Sequence, residues 1–189
     1  MGEGSLLFDP YKNAKEDTLR NSSADLVLAS HGVDDLITLG KDTLVISGAG
    51  EYEYKEVLVY GFQTGTTAES PLIFRTEIEH VTVAHLGMIP KTLDEKLLNE
   101  LNGVDILLIP VGGDGTLTPE RAAEIVTKVE PRVVIPYAFK ATGTGANFGP
   151  VEPFFKAIGR TPEETQTKIK ITKKDLPSDQ LVVMVLQKQ

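Results

Sequence analysis

The sequence predicts an α/β fold in which sheets are layered face to face and helices lie outside. Three observations predict it. The first half of the 189 residues is a series of short apolar runs bounded by turn residues, the pattern of strands. The second half alternates strand-like and helix-like segments. Within it, residues 104–135 read as strand, helix and strand joined by tight turns, the unit that builds parallel sheet.

Taken in order, Asp25 to Ser30 is an apolar run that ends in a polar loop, as a buried strand does, and Thr43 to Ser47 is a second, closed by Gly48-Ala49-Gly50. Glu51 to Tyr54 alternates like a half-exposed edge strand, and Glu56 to Phe62 reads as a strand. Leu72 to Ile78 and Val81 to His85 read as two more, turned at Glu79-His80. Thr92 to Leu101 places Leu93, Leu97, Leu98 and Leu101 at helical spacing, with Thr92 as N-cap and Glu95 completing a capping box; Asn102-Gly103 ends it. Val104 to Val111 is a continuous apolar strand apart from Asp105. Pro119 to Val129 is a helix with Thr118 as N-cap and Ala122, Ile125, Val126 and Val129 as its buried stripe. Pro131 stops that helix, and Arg132 to Ile135 is the next strand. Lys140 to Pro150 is a loop, Val151 to Gly159 a short helix, and Lys168 to Thr172 and Leu181 to Leu186 are terminal strands.

Composition narrows the function classes. Hydrophobic residues at 41% and charged residues at 24% fit one globular domain, residues 1–189, large enough for a sizeable core. The chain has no cysteine, which excludes disulfides, thiolate metal sites and cysteine nucleophiles. A net charge of −8 argues against a general nucleic-acid surface, because phosphate backbones need a basic face. No run approaches a membrane span, and Met1 to Pro10 lacks the apolar stretch of a signal peptide, so the expected location is cytoplasmic. The histidines are three: His31, His80 and His85.

Four segments, in order, resemble the metallo-β-lactamase superfamily, and within it the small Zn-dependent hydrolases related to L-ascorbate-6-phosphate lactonase. They are Phe8-Asp9-Pro10-Tyr11, Asp25 to His31, Ala84-His85-Leu86-Gly87, and Asp105 to Gly113 followed by Pro131 to Pro136; Gly50-Glu51-Tyr52-Glu53 also looks like this branch. The resemblance covers roughly Leu7 to Phe139. It implies an αββα sandwich with metals at the edge of the two sheets. It also implies that the N-terminal strands are shortened or missing, since relatives carry an extra strand or two before the Asp-Pro segment.

The same resemblance implies a ligand loop of the form His-x-His-x-Asp-His, in which one tight turn aims imidazoles and a carboxylate at two cations that polarise substrate and acidify bound water. Here the loop is His31-Gly32-Val33-Asp34-Asp35-Leu36. His31 and Asp35 stand at ligand positions; Val33 and Leu36 stand where histidines are implied. Met88 replaces the carboxylate that would follow Gly87, Ala138 replaces a late histidine, and Gln63 to Thr67 lacks the mid-chain histidine. His85 is kept, although the resemblance does not make it a clear ligand. His31, Asp35 and His85 are therefore expected as a vestigial polar group, hydrogen-bonded among themselves or acting as a metal-free acid–base pair. Any retained metal would sit on His31 and Asp35.

Other features read as structural. Gly112-Gly113-Asp114-Gly115-Thr116 is a tight turn rather than a phosphate cradle, since it lacks the lysine of a phosphate-binding loop. Ala141 to Pro150, with Thr142, Gly143, Thr144, Gly145 and Asn147, is a connection or a substrate loop. Phe148, Phe154 and Phe155 are packing residues, and Lys168, Lys170, Lys173 and Lys174 form a solvated face.

Two function classes follow. One is a non-catalytic, degenerate member with a structural, binding or oligomeric role, needing no cofactor; a homo-oligomer or protein partner would cover the sheet edge that the missing strands expose. The other is a Zn-dependent hydrolase of a phosphorylated, lactone or phosphodiester substrate, its reduced site completed by another chain.

Overall fold

Strands β1 (Leu6–Phe8), β3 (Leu26–Leu28) and β5 (Leu44–Ile46) form a parallel sheet in the order β1-β3-β5, and β2 (Asn21–Ser22) pairs with β4 (Thr38–Leu39) beside it. The computed structural model describes residues 4–12, 21–140, 147–162, 165–178 and 180–187. The larger sheet has seven strands: β6 (Gly50–Tyr54), β7 (Val57–Gln63), β8 (Leu72–Ile78), β9 (Val81–His85), β10 (Ile106–Pro110), β11 (Val133–Tyr137) and β12 (Val182–Val183), in the order β12-β11-β10-β9-β8-β7-β6. From β6 to β9 the pairing is antiparallel, because hairpins join consecutive strands; from β9 to β12 it is parallel, because crossovers intervene. The β8–β9 turn needs two left-handed residues, and Glu79 and His80 supply them at φ 49° and 66°.

One face of the large sheet carries the helices α1 (Glu95–Glu100), α2 (Pro119–Val129) and α3 (Glu152–Ile158). Ile73, Ala84, Leu107, Ile109 and Val134 of the sheet share a buried cluster with Leu97, Ile125, Val126 and Phe154 of the helices. The other face takes the small sheet: Leu26, Leu28 and Ile46 meet Val59, Leu72 and Phe74, with Leu6 and Phe8 alongside. Beyond it, Leu36 packs with Val27 and Ala29, and Tyr11, Leu39 and Val45 close over them. The expected α/β sandwich of two facing sheets is therefore present. Among the described residues, loop side chains rather than a helix cover the small sheet's outer side.

Helix α2 has the expected bounds, with Thr118 Oγ1 accepting from Arg121 N and Glu130 closing the helix at φ 51°. Helix α1 differs at its start. Asp94, not Thr92, is the N-cap; its Oδ1 accepts from Leu97 N at 2.9 Å. Capping at Asp94 puts Leu93 and Leu98 at the two ends of a hydrophobic staple, and both are buried in the core cluster.

Two expectations for the C-terminal part are corrected. Residues 168–172 form no strand; next to them Gln166 bridges Leu186, and a turn at Thr172 closes on Asp175. Lys173 does not join a solvated basic face. Its Nζ lies 2.7 Å from Oδ2 of the buried Asp105, which also accepts from Thr82 N and faces Arg132 Nε at 3.6 Å. This ties the C-terminal segment to the base of β10, and Leu176 and Ile171 seal the sheet beneath it. Within the loop Lys140 to Pro150, residues 141–146, including Thr142, Gly143, Thr144 and Gly145, lie outside the described residues; Lys140 N bonds to Gly149 O across it. Phe154 is fully buried, whereas Phe148 and Phe155 are half-buried.

Candidate functional site

The C-terminal ends of β1, β3, β9 and β11 bring Asp9, Ser30, His31, His85 and Tyr137 together where the two sheets meet. Strand ends of parallel sheets are where an open α/β fold leaves side chains free to converge. Leu72 N donates to Ser30 O, which joins the small sheet to the large one beside the cluster.

Asp9 is the hub. It leaves β1 with φ 46°, a left-handed conformation that costs a non-glycine residue about 1 kcal/mol or more and persists where the surroundings hold it. What holds it is Ser30: the Ser30 backbone N–H donates to Asp9 Oδ1 and the hydroxyl to Oδ2, both at 2.7 Å. Ser30 is buried, and its Oγ also lies 2.6 Å from Nδ1 of the exposed His31. Tyr11 braces the same turn; its hydroxyl accepts from His31 N at 2.8 Å and donates to Gly32 O at 3.1 Å, with its ring edge-on to the imidazole.

His85 is buried on the inner side. Its ring stacks between Phe8 and Tyr137, with centroids at 4.7 and 5.0 Å, and Nδ1 accepts from Gly87 N at 3.2 Å. Burial pushes its pKa down to about 4, against the pull of Asp9, whose Oδ2 lies 3.8 Å away, so the ring is neutral near pH 7. Burial holds the Tyr137 hydroxyl well above its ordinary pKa, and it donates to Gly87 O. Gly87 itself has φ 58°, and a Cβ there would lie 2.7 Å from Ser30 Oγ, so the turn after β9 requires glycine.

The ligand loop is split by burial. Val33 is 48% exposed, Asp35 is exposed, and Leu36 is 7% exposed beneath them in the outer cluster. Of the expected polar group, the structure brings His31 and His85 to one network through Asp9, and its side-chain partner for His31 is Ser30. Asp35 stands apart at the surface, its backbone carbonyl taking Lys12 N. Met88 and Ala138 are half-buried and follow Gly87 and Tyr137 directly; Ala138 keeps a left-handed φ of 51°. Sequence reasoning missed Asp9, Tyr11 and Tyr137 as site residues. The signal for Asp9 was an Asp-Pro pair immediately after an apolar run, a place where a strand ends and a carboxylate is turned inward.

Among the described residues, no three His, Cys, Asp or Glu side chains form a group that could hold a metal ion. A closed zinc site wants four donors, and a catalytic one three plus water. The described donor set does not fit zinc, and no reaction step is drawn through a metal.

Comparison with known proteins places the fold. The profile of the beta-lactamase superfamily domain matches residues 1–138. A UPF0173 metal-dependent hydrolase of Lysinibacillus sphaericus is 26% identical over 196 residues, covering 78% of this chain and 80% of the relative. A UPF0173 protein of Pyrococcus furiosus is 30% identical over 176 residues, covering 78% and 79%. A solved structure from Thermotoga maritima, named for Zn-dependent hydrolysis within the metallo-β-lactamase superfamily, superposes with a TM-score of 0.74 at 26% identity, covering 95% of this chain and 89% of the other. Among the described residues no helix is long and apolar enough to cross a membrane. With two facing sheets, a polar cluster at their shared edge and a profile match over most of its length, the chain belongs to the beta-lactamase superfamily.

Proposed function

We propose that this chain is a non-catalytic member of its superfamily, with a binding, structural or oligomeric role in place of metal-dependent hydrolysis. One observation carries the reading. The polar side chains at the sheet junction engage each other: Asp9 takes both Ser30 donors, Ser30 takes His31, and neutral His85 takes Gly87 N. At four further positions where the resemblance implies ligands stand Val33, Leu36, Met88 and Ala138, none of which offers a hard donor, and Asp35, which keeps its carboxylate, stands apart at the surface. Among the described residues β1 is an edge strand of the small sheet, and a second copy or another protein pairing along it fits such a role. The experiment is elemental analysis of tag-free protein, a zinc titration followed by thermal shift, and hydrolysis of a phosphodiester and a lactone with zinc present. The reading expects metal well below one per chain, an unchanged Tm and no turnover above background. Stoichiometric metal with turnover would overturn it.

The names of the relatives favour a second reading, a metal-dependent hydrolase whose reduced site, with His31 and Asp35, is completed across an interface. It predicts stoichiometric zinc only in an oligomer, which sedimentation with and without zinc would reveal.

A further inference from the structure

We propose that Asp9 and Ser30 are positioning residues that lock His31 in the Nδ1–H tautomer and present its Nε2 lone pair outward. The pair would thereby make a hydrogen-bond acceptor site for a ligand bearing an N–H or O–H group. The acceptor site rests on the reading that no metal occupies His31, whereas the tautomer of His31 follows from the Asp9–Ser30 geometry alone.

The argument is one of hydrogen counting. Ser30 has a single hydroxyl hydrogen. Asp9 Oδ2 lies 2.7 Å from Ser30 Oγ, and Asp9 Oδ1 already accepts from Ser30 N, so the carboxylate takes donors at both oxygens. The Ser30 hydrogen therefore points at Asp9. At 2.6 Å on its other side lies His31 Nδ1, where two lone pairs would repel. The contact is favourable only when Nδ1 carries a proton and Ser30 Oγ accepts it. A neutral imidazole has one N–H, so Nε2 is left as the acceptor.

The ring is held as well as tautomerically assigned. Tyr11 lies edge-on to it at a centroid distance of 5.5 Å and an angle of 89°, and its hydroxyl holds the His31 backbone N–H. Ser30 is 1% exposed whereas His31 is exposed, so the fixed end of the chain is inside and the free end outside. The other histidines differ. His85 accepts at Nδ1 from Gly87 N and is buried, and His80 sits in the β8–β9 turn with a side chain 90% exposed.

The test begins with the unaltered protein. Long-range nitrogen–proton correlation NMR at neutral pH should show His31 as the Nδ1–H form and His85 as the Nε2–H form. An Nε2–H His31, or an even mixture, overturns the proposal without any variant. Carbethoxylation by diethyl pyrocarbonate, followed by peptide mass spectrometry, should modify His31 faster than His80 and leave His85 unmodified in the folded chain. In Ser30→Ala the excess rate of His31 over His80 should be lost and its tautomer should shift toward Nε2–H; in Asp35→Asn both should stay as in the parent. An unchanged tautomer in a folded Ser30→Ala protein, or a change in Asp35→Asn, counts against the relay.

Discussion

The imidazole of His85 lies flat against the ring of Tyr137, with centroids 5.0 Å apart and planes 10° from parallel. One ring ends β9 and the other ends β11, and neither strand pairs with the other; β10 runs between them. The stack therefore spans β10, and Phe8 on the outer side of His85 extends it to the small sheet.

This burial makes stability depend on acid. His85 has a pKa of about 4 when folded, against 6.5 for a free histidine, so between those values the unfolded chain binds the extra proton. The contribution is present above pH 6.5 and is lost as pH falls toward 4, on the order of 3 kcal/mol in all. Urea midpoints measured across that window should fall with pH. In His85→Phe, which keeps the stack but cannot titrate, the slope should be markedly shallower.

The alkaline side carries the opposite sign. Burial raises Tyr137 well above its usual pKa and Tyr11 to about 12, so the unfolded chain ionises first. Their contribution is present below pH 10 and is lost as pH rises from 10 toward 12. Tyr137→Phe should flatten part of that loss in denaturation series followed by circular dichroism.

The two apolar residues in the ligand loop should behave differently. Leu36 is packed against Val27 and Ala29, and Leu36→Ala should cost about 2–4 kcal/mol. Val33 is 48% exposed, and Val33→Ala should stay within about 0.5 kcal/mol. Equal losses in chemical denaturation would contradict the burial of Leu36 under this loop.

At the other end of the sheet, Asp105→Ala should cost about 2–3 kcal/mol, because it strands Thr82 N and removes the buried carboxylate that Lys173 and Arg132, each about half exposed, both face. Lys173→Ala should cost about 1 kcal/mol, since the lysine is half exposed and Arg132 still faces the carboxylate. The ratio of the two losses is the measurement.

Much of the fold was legible because its signals are local. Short strand-like runs turned at Glu79-His80 mark β8 and β9 with their correct bounds, and Thr118 with Pro119 marks the start of α2. The start of α1 was misread because Thr92 and Asp94 are both good caps; burial of Leu93 beside Leu98 decides between them, and that is a tertiary fact. Lys173 looked solvated because its partner, Asp105, is 68 positions away. The site was legible in part for the same reason. His31, His85 and the apolar residues at ligand positions could be read from segments, but an aspartate before a proline reads as a turn until Ser30 is brought against it.

The Asp9–Ser30 bonds close a separation of 21 positions, and the Tyr137–Gly87 bond one of 50. Each lies within one sheet, Asp9–Ser30 at the ends of β1 and β3 and Tyr137–Gly87 at the ends of β11 and β9, whereas the Phe8–His85 stack and the Leu72 N to Ser30 O bond cross between the sheets and need both. The junction thus belongs to the last stage of folding, after the β7–β8–β9 hairpins and the α2 crossover have organised locally. Substitutions at Phe8 or His85, which meet across the two sheets, should accelerate unfolding while leaving the refolding rate nearly unchanged, so the junction acts as a kinetic clasp on the finished molecule.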